Sequence, residues 1–391
     1  MRILMIAPTP LFQPRGTPFS TLWRARALSR LGHQIDIVAY HVGEAVEVEN
    51  VRVFRIPSIP FIREVKIGSA LQKLILGVFL LGTSFAVFFR GRYDGVHGHD
   101  EGAFIGALLK ILTGTPLVYD MHTSIPGHLV DFDHRLNRFR PLIRIAAWME
   151  RMIVARADQI VAISPDLEVR ARRVSGDGRV RTIENIPFGE EKGAVQADRL
   201  RALKREIGLK DEVVVLYTGT FADYQRIDLL IQAVPKVVRE YRGKVKFVLV
   251  GGDLEEIEEM RALATSLEVA QHVLFTGKRP PQEMSLFLGF ANILVSPRVW
   301  AGNTPLKLYS YLRSGKPIVA TNTLTHTQVL SEETAILTEP NPESFASGIL
   351  RVLSDEALRR RVGAEGKRLA ERRYSEEYYL ASVARLYEDL P

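Results

Sequence analysis

The sequence predicts an α/β protein with two doubly wound parallel sheets. Short apolar runs alternate with helix-like segments, and loops containing Gly and Pro join them, which is the pattern of strands buried on both faces of a parallel sheet. At 391 residues the chain is too long for one ordinary core, since domains hold about 150 residues. Apolar residues make up 46% and charged residues 25% of it, so both halves are expected to be globular.

The first half begins with a βαβ pattern. The apolar run 2–7 predicts a strand, a Pro-containing loop leads to a predicted helix over 19–32, and 35–40 predicts the next strand. Gly16 lies in that loop, where the missing side chain lets the backbone approach a ligand closely. Further strands are predicted over 51–56, 94–99, 116–122, 157–164 and 180–185, with a helix over 102–113.

Three histidines, His97, His99 and His122, lie at the ends of predicted strands, where a doubly wound sheet places its ligands. The spacing of His97 and His99 is compatible with a metal ion. No cysteine or second carboxylate cluster accompanies the pair, so we expect no metal site. Asp120 is expected to orient His122 or to support a neighbouring turn.

The second half repeats the pattern, and its most informative stretch is 291–321. An apolar run ends at Ser296, and a loop of Gly, Asn and Pro leads into a predicted helix over 306–313 that Gly315 closes. The first N–H groups of a helix have no partner inside it, and the positive end of the helix dipole lies there, so a phosphate group would suit this position. Other strands are predicted over 212–218, 246–251, 272–276 and 317–320, and helices over 229–241 and 356–373.

Charge and cysteine content exclude several classes of protein. There are 52 Lys and Arg residues against 45 Asp and Glu residues, which gives a net charge of +7. The basic residues crowd around apolar segments of the first half, which favours a membrane surface over nucleic acid. Motifs of nucleic-acid binding are missing from the sequence, so no nucleic-acid partner is expected. The chain has no cysteine, which excludes disulfides, zinc-thiolate sites and thiol nucleophiles.

Two segments, 62–92 and 135–156, are candidates for membrane contact. The first contains an uncharged run, 74–89, that is shorter than the ~20 residues needed to span a bilayer, so we expect a helix that is buried or lies at the interface. The second carries six arginines together with Phe139 and Trp148, as in helices that lie among lipid headgroups. Packing within the protein is the alternative explanation for both segments.

The motifs of the second half resemble the donor-site loop of GT-B glycosyltransferases of the family 4 type. They are Asn303-x-Pro305-x-Lys307, then Tyr309-x-Tyr311, then Gly315-Lys-Pro-x-Val-Ala320. The resemblance covers nearly the whole chain and implies the GT-B fold, with two Rossmann-like domains that face each other across a cleft. It implies an acceptor-binding domain over 1–190, a nucleotide-sugar-binding domain over 197–374, and a C-terminal helix over 375–391 that crosses back to the first domain.

The resemblance implies a retaining transfer of a sugar from a nucleotide-diphosphate sugar, UDP- or GDP-linked, to a hydroxyl of a glycan, lipid-linked or cell-envelope acceptor. It implies no cofactor and no metal, and a cytoplasmic location that is peripheral on the inner face of the cell membrane. The implied catalytic residues are His122, which would orient the sugar, and Arg226 and Lys307, which would stabilise the leaving diphosphate. The implied donor-binding residues are Gly16, Gly219, Thr220, Gln225, Arg298, Gly302, Asn303, Thr304, Pro305 and Ser310, and Thr323, Thr325 and His326 are further candidates.

The chain departs from the family pattern at four positions. Gly302 and Ser310 stand where relatives carry glutamates that contact the sugar and the ribose, and Thr220 and Gln225 stand where relatives carry Arg and Lys. Ser310 can make one hydrogen bond where a carboxylate makes two, so we expect weaker nucleotide binding than in relatives with glutamate. Two alternatives remain open: a catalytically weak GT-B binding subunit, and a nucleotide-sugar hydrolase or epimerase.

Overall fold

The chain folds into two compact units, each with its own parallel sheet. The computed structural model describes residues 1–11, 16–65, 70–127, 140–176, 178–186, 197–299 and 304–391. Unit 1 comprises Met1–Gly189 together with Glu376–Pro391, and unit 2 comprises Glu190–Ser375. The C-terminal segment therefore packs with the first half of the chain.

Unit 1 contains a seven-stranded sheet in the order β3-β2-β1-β4-β5-β6-β7, and its paired strands are parallel. The strands are β1 (Arg2–Ala7), β2 (Gln34–Ala39), β3 (Val51–Arg55), β4 (Gly95–His99), β5 (Leu117–Met121), β6 (Gln159–Ala162) and β7 (Val180–Thr182). The helices are α1 (Gly16–Arg30), α2 (Ala70–Arg90), α3 (Gly102–Thr113), α4 (Arg140–Arg156), α5 (Pro165–Ser175) and the C-terminal helix, α14 (Glu376–Glu388). The β1, β4 and β5 strands are almost wholly buried, as expected for central strands of a parallel sheet, although β4 carries two histidines and β5 an aspartate.

Unit 2 contains a six-stranded parallel sheet in the order β10-β9-β8-β11-β12-β13. Its strands are β8 (Val213–Thr218), β9 (Val245–Val250), β10 (Val273–Gly277), β11 (Ile293–Ser296), β12 (Ile318–Thr321) and β13 (Ile336–Thr338). Its helices are α6 (Ala197–Glu206), α7 (Ile227–Glu240), α8 (Leu254–Ser266), α9 (Met284–Phe290), α10 (Lys307–Ser314), α11 (Leu324–Thr327), α12 (Pro342–Ser354) and α13 (Glu356–Arg373). The predicted α/β class with two doubly wound sheets is confirmed.

Most predicted elements agree with the structure to within two residues, and α1 is the main exception. It begins at Gly16, before the predicted start at residue 19, and therefore contains Pro18 in its first turn. Proline is tolerated there, because the N–H groups of the first turn have no partner inside the helix. The prediction placed the helix start after this proline and was therefore too late.

The α2 helix carries apolar side chains both on the face that packs in the core and on the face that is exposed. Leu76, Leu80 and Phe88 are buried in the core of unit 1, whereas Leu74 and Val78 are about two thirds exposed, at 67% and 65%. Within the described residues, Gln72–Arg90 is the one helix whose length and composition would allow it to cross a membrane, and 28% of it is buried. Length and composition alone do not separate a spanning helix from a core helix.

Candidate active site

The sheet of unit 2 reverses its strand order between the neighbours β8 and β11. At such a point the carboxyl ends of parallel strands leave room for a ligand. Gly219 follows β8, Arg298 follows β11, and α10 begins at Lys307. The fold therefore brings these three predicted site residues to one edge of the sheet, although they are separated by up to 88 positions in the sequence.

Lys307 reaches back to the loop that follows β8. Its Nζ lies 3.8 Å from the centroid of the Tyr217 ring and donates a hydrogen bond of 3.2 Å to Gln225 Oε1. A Cβ added at Gly219 would lie 3.2 Å from the same Nζ. Burial first, and the positive charge of Arg298 second, hold the pKa of Lys307 well below its usual value. Within the described residues no carboxylate pairs with this ammonium group.

Arg298 is a second cation at the same edge, and unlike Lys307 it is buried. Its side chain is 7% exposed, and its guanidinium carbon lies 5.0 Å from the centroid of the Tyr224 ring. Its Nε has no hydrogen-bond partner in the part of the chain that the structure describes. Burial lowers the pKa of Arg298, as expected for a cation without a carboxylate partner.

The segment that leads into α10 is also held against the sheet. Thr304 and Pro305 are buried, and Thr304 Oγ1 has no hydrogen-bond partner among the described residues. Tyr311, one turn into the helix, accepts a hydrogen bond of 2.9 Å from the Thr218 backbone N–H at the end of β8. Ser310 precedes it and is partly exposed. Gly302 and Asn303 lie outside the described residues.

Close backbone approach explains the glycines at this edge. Gly219 and Gly251 have φ values of +140° and +123°, which residues other than glycine rarely adopt. A Cβ at Gly251 would lie 1.9 Å from the Gly219 carbonyl oxygen, so the loops after β8 and β9 can touch only with glycine there. Thr220 is exposed, and its carbonyl oxygen accepts a hydrogen bond of 2.6 Å from the Tyr217 hydroxyl.

Arg226, predicted to contact the diphosphate, is engaged with Asp228. Its Nε and Nη2 each donate a hydrogen bond of 2.9 Å to this carboxylate, and the bonds raise the pKa of Arg226. Its backbone is left-handed, with φ of +52°. The role of Arg226 at the diphosphate stays a prediction, since a ligand there would have to share the guanidinium with Asp228.

His326 is wholly buried beside β11 and β12. Its Nε2 lies 2.8 Å from Ser296 Oγ, and its Nδ1 lies 2.9 Å from the Thr321 carbonyl oxygen. Burial lowers the pKa of His326 to about 3, so the ring is neutral, with Nδ1–H as donor and Nε2 as acceptor. Thr321 Oγ1 in turn donates to the Arg298 carbonyl oxygen. The ring thus supports the backbone that carries Arg298.

Unit 1 holds a second cluster of polar residues, centred on Asp120. The β4–β5 register places His99 opposite Asp120. Arg24 Nε donates a hydrogen bond of 3.1 Å to Asp120 Oδ2, and His97 Nε2 lies 3.1 Å from the same oxygen. Burial alone would raise the pKa of Asp120, but Arg24 and the neighbouring histidines hold it well below its usual value. Asp120 is therefore a carboxylate anion in a wholly buried position.

His97, His99 and Asp120 lie close enough to bind one metal ion, with their ligand atoms within 4.8 Å of one another. The donor set does not suit a cation, because Arg24 already contacts the carboxylate oxygen that His97 faces. Burial lowers the pKa of both imidazoles, so they are neutral without a metal. The expected absence of a metal site stays a prediction.

His122 is held from two sides within this cluster. Its Nε2 lies 2.9 Å from His99 Nδ1, and its Nδ1 lies 3.2 Å from Asn185 Nδ2. Its backbone N–H donates a hydrogen bond of 2.9 Å to Asp100 Oδ1. The ring is 2% exposed, so its orientation is set by the fold. Gly16, the other predicted site residue of unit 1, is exposed at the first position of α1.

Two family descriptions match most of the chain. Residues 23–186 match the family "Glycosyltransferase Family 4", and residues 201–369 match "Glycosyl transferases group 1". The chain belongs to the GT-B glycosyltransferases of the family 4 type. It is therefore an enzyme, and the predicted family is confirmed.

Similar proteins extend over both units of this glycosyltransferase. D-inositol 3-phosphate glycosyltransferase from Corynebacterium aurimucosum is 28% identical over 82% of this chain and 79% of its own length. Alpha-monoglucosyldiacylglycerol synthase from Streptococcus pneumoniae is 25% identical over 82% of this chain and 71% of its own length. The Anabaena protein HepE, solved in complex with UDP, has a TM-score of 0.76 at 15% identity and covers 100% of both chains. The similarity to HepE shows only that the two proteins share a fold.

The sequence did not indicate four residues of the Asp120 cluster in this glycosyltransferase: Arg24, Asp100, Asn185 as a partner of His122, and Tyr387. Tyr387 lies on α14, and its hydroxyl is 2.6 Å from His97 Nδ1. A signal was available for Arg24 only, because it shares the helical spacing of the buried Thr21 and Leu28 on α1. Contacts between residues 290 positions apart leave no such pattern.

Proposed function

We propose that this glycosyltransferase moves a sugar, with retention at the anomeric carbon, from a UDP-linked donor to a hydroxyl of a lipid-linked, glycan or cell-envelope acceptor at a membrane surface. The observation that carries the donor part is a pair of cations, the buried Arg298 and the partly buried Lys307, for which the described residues provide no carboxylate. The similar protein HepE is solved with UDP, which supports uridine. GDP-linked donors are the alternative.

A diphosphate would compensate the charge of this pair. Cations taken out of water without a counter-ion are costly, and this cost is what lowers the pKa of Lys307. A bound diphosphate supplies negative charge beside Nζ and favours the protonated lysine. The Thr304 hydroxyl is a further donor at the same edge, because its Oγ1 has no hydrogen-bond partner among the described residues.

The same groups would act on the reaction itself. The bond between the anomeric carbon and the β-phosphate oxygen breaks, and the acceptor oxygen bonds to that carbon on the same face. The proton of the acceptor hydroxyl passes to the departing β-phosphate oxygen, on which negative charge develops as its bond to the anomeric carbon breaks. Preorganised cations that meet this developing charge lower the barrier. Lys307 and Arg298 supply that charge, and we propose that no metal ion takes part.

Nucleotide titration tests the assignment of Lys307. We expect wild-type protein to bind UDP more tightly than GDP by isothermal titration calorimetry, with EDTA present throughout. Removing a hydrogen bond to a charged group costs about 1.5–3 kcal/mol, so Lys307→Met is expected to weaken UDP binding roughly ten- to a hundredfold. Lys367→Met, at an exposed lysine of α13, serves as the control and is expected to leave the affinity unchanged.

UDP affinity of Lys307→Met equal to wild type would show that the diphosphate binds elsewhere. Loss of UDP binding on adding EDTA would contradict the proposal of a metal-free site. Failure of every nucleotide to bind would favour a GT-B subunit with little catalytic activity.

The acceptor is less closely defined. One similar protein is named for inositol phosphate and another for a glycosylated diacylglycerol, so the relatives support both a small polyol and a membrane lipid. We propose the lipid, because of the surface described below. Incubation with radiolabelled UDP-sugars and membrane lipid extract is expected to give labelled lipid. Release of free sugar with no labelled lipid would favour a hydrolase.

His122 keeps its predicted role, which is to orient the transferred sugar. Its ring is fixed by His99 and Asn185, as a group that positions a substrate requires. We expect His122→Ala to lower kcat more than donor affinity, because the binding groups at the diphosphate are intact in this variant.

The membrane part of the proposal depends on three neighbouring helices of unit 1. The α3 helix packs against both α2 and α4. These helices expose large apolar side chains, among them Leu74, Val78 and Phe89 on α2, Ile111 and Leu112 on α3, and Ile145 and Trp148 on α4. We call this group the apolar helix face. Where exposed apolar side chains adjoin one another on a protein surface, they mark an interaction surface, and we propose that those of the apolar helix face do so.

Charge favours a lipid bilayer as the partner of the apolar helix face. Arg144 and Arg151 lie one helical turn on either side of Trp148 and are exposed, and Arg90 and Arg92 are exposed at the end of α2. Arginine side chains at the edge of an apolar surface suit headgroup phosphates, and exposed Trp is typical of membrane interfaces. We propose peripheral binding to the inner face of the cell membrane.

A further inference from the structure

A line of buried polar contacts connects the C-terminal helix of unit 1 to His122. The Tyr387 hydroxyl on α14 lies 2.6 Å from His97 Nδ1, and His97 Nε2 lies 3.1 Å from Asp120 Oδ2. The other carboxylate oxygen, Asp120 Oδ1, lies 3.4 Å from His122 Nε2. None of these four side chains is more than 5% exposed, so water does not compete for these contacts.

The charges along this line determine where its protons lie. Asp120 is ionised, so His97 must present Nε2–H to it. Because burial keeps His97 neutral, its Nδ1 carries no proton and can only accept. Burial also raises the pKa of Tyr387, so the phenol is neutral and donates its O–H to that nitrogen. The hydrogen bonds between Tyr387 and His97 and between His97 and Asp120 can therefore each form in one donor-to-acceptor direction only.

The same reasoning applies on the other side of Asp120. His122 Nδ1 faces the amide nitrogen of Asn185, which is a donor, so the tautomer that accepts this hydrogen bond is the one protonated at Nε2. His99 Nδ1 lies within hydrogen-bond distance of this nitrogen, at 2.9 Å, and Asp120 Oδ1, which has no hydrogen-bond partner among the described residues, lies 3.4 Å from it and acts through its charge. An ionised Asp120 in a fixed orientation thus favours one tautomer and one ring orientation of His122.

We infer that Tyr387 is a positioning residue for His122. It acts through the hydrogen bond that it donates to His97 and through the orientation of Asp120 that this bond supports. The inference rests on the proposed role of His122 toward the sugar. Without the Tyr387 hydroxyl, His97 Nδ1 loses its donor, and the imidazole can flip or change tautomer. Asp120 Oδ2 would then keep the hydrogen bond from Arg24 Nε but lose the one from His97, so the carboxylate would be held less firmly in its orientation toward His122.

The Tyr387→Phe variant separates this role from packing. It keeps the ring that lies 6.2 Å from the His97 ring and removes only the hydroxyl. We expect kcat to fall about tenfold, with the KM for the nucleotide sugar within about twofold of wild type, as for loss of one positioning hydrogen bond. Tyr378→Phe, at an exposed tyrosine of the same helix, serves as the control and is expected to behave as wild type.

Nitrogen NMR of ¹⁵N-histidine-labelled protein provides a readout that packing alone would not change. In wild type we expect His97 and His122 each to show a single tautomer protonated at Nε2. In Tyr387→Phe both signals should shift toward a mixture, and in Tyr378→Phe neither should. Wild-type kcat together with unchanged histidine signals in Tyr387→Phe would overturn the inference.

Two further variants keep the test decisive if Tyr387→Phe does not fold. His97→Gln, made in the otherwise wild-type chain, keeps an amide donor for Asp120 and an acceptor for Tyr387. We expect this variant to retain most of the wild-type kcat. His97→Leu has neither a donor nor an acceptor, and we expect its kcat to fall well below that of wild type. Equal activity of the two would overturn the inference. If His122→Ala leaves kcat unchanged, the proposed role of His122 fails, and the tautomer signals alone then decide whether Tyr387 positions that ring.

Discussion

At the scale of single residues, position in the fold decides what a side chain does. Arg24 belongs to a residue type that normally reaches solvent, yet it is wholly buried, with Asp120 on its Nε and the Tyr379 ring 5.2 Å from its guanidinium carbon. Gln225 stands where relatives carry lysine, and it accepts a hydrogen bond from Lys307 instead. An amino group from another element, that of Lys307, thus lies beside Gln225, and the sequence suggested this lysine as a candidate but could not place it.

Glycine substitutions test the close approach of β4 to α3. A Cβ at Gly98, between His97 and His99, would lie 2.3 Å from Ala103 Cα. Overpacking against backbone costs about 1–3 kcal/mol, so we expect Gly98→Ala to lower the free energy of unfolding by about 3 kcal/mol in urea titrations. Gly77→Ala on α2, where nothing lies within 4 Å, is the matched control. It should raise stability by up to about 1 kcal/mol, and similar losses in both variants would contradict this account.

At the scale of elements, periodicity located the helices, but it did not show which helix face lies in the core. In α2 the residues from 74 to 89 carry no charge, so the spacing alone does not separate an inner face from an outer one. The structure places Leu76 and Leu80 inside and leaves Leu74 and Val78 outside. Packing within unit 1 explains the first pair, and whether the second pair contacts a membrane stays a prediction.

Vesicle binding tests the apolar helix face. Burying a large apolar side chain contributes about 1.5–3 kcal/mol, so Val78→Glu and Trp148→Glu should each weaken binding to vesicles of phosphatidylcholine and phosphatidylglycerol roughly tenfold or more in sedimentation assays. Leu254→Glu, at the 83% exposed leucine of unit 2, is the control and should bind as wild type. Binding of wild type that is equally strong without phosphatidylglycerol would contradict the role of the arginines. Unchanged binding of both unit 1 variants would contradict the surface.

At the scale of the whole molecule, both units are doubly wound parallel sheets that bury neutral histidines. His97 and His99 lie in unit 1 and His326 lies in unit 2, and burial lowers the pKa of all three. A group whose pKa is lower in the folded state contributes stability above its unfolded pKa, about 6.5 for histidine, and this contribution is lost as the pH falls through that value.

Calorimetry between pH 7.5 and pH 6 tests this linkage. Each buried histidine is expected to cost about 1 kcal/mol over this range, so Tm should fall on acidification. Asp36, whose pKa is lowered to about 2 despite burial by hydrogen bonds from Arg52, Tyr93 and Arg2, loses its contribution only below about pH 4. Asp100, whose pKa burial raises to about 6, adds stability only as the pH falls below that value. His326→Gln should show a shallower fall, and a Tm independent of pH in wild type would contradict the assignment of neutral histidines.

The sequence by itself determined the class of fold, the succession of strands and helices, and the family, and it predicts the loop before α10 as a place for phosphate. These follow from local order: apolar runs, helical spacing, and the placement of Gly and Pro are properties of neighbouring residues. Only the tertiary structure decided that Lys307 meets Gln225, that Arg24 is buried on Asp120, and that Tyr387 reaches His97. Such contacts join segments that are distant in the chain, and they form because parallel strands bring their carboxyl ends to one edge of a sheet, which no local pattern records.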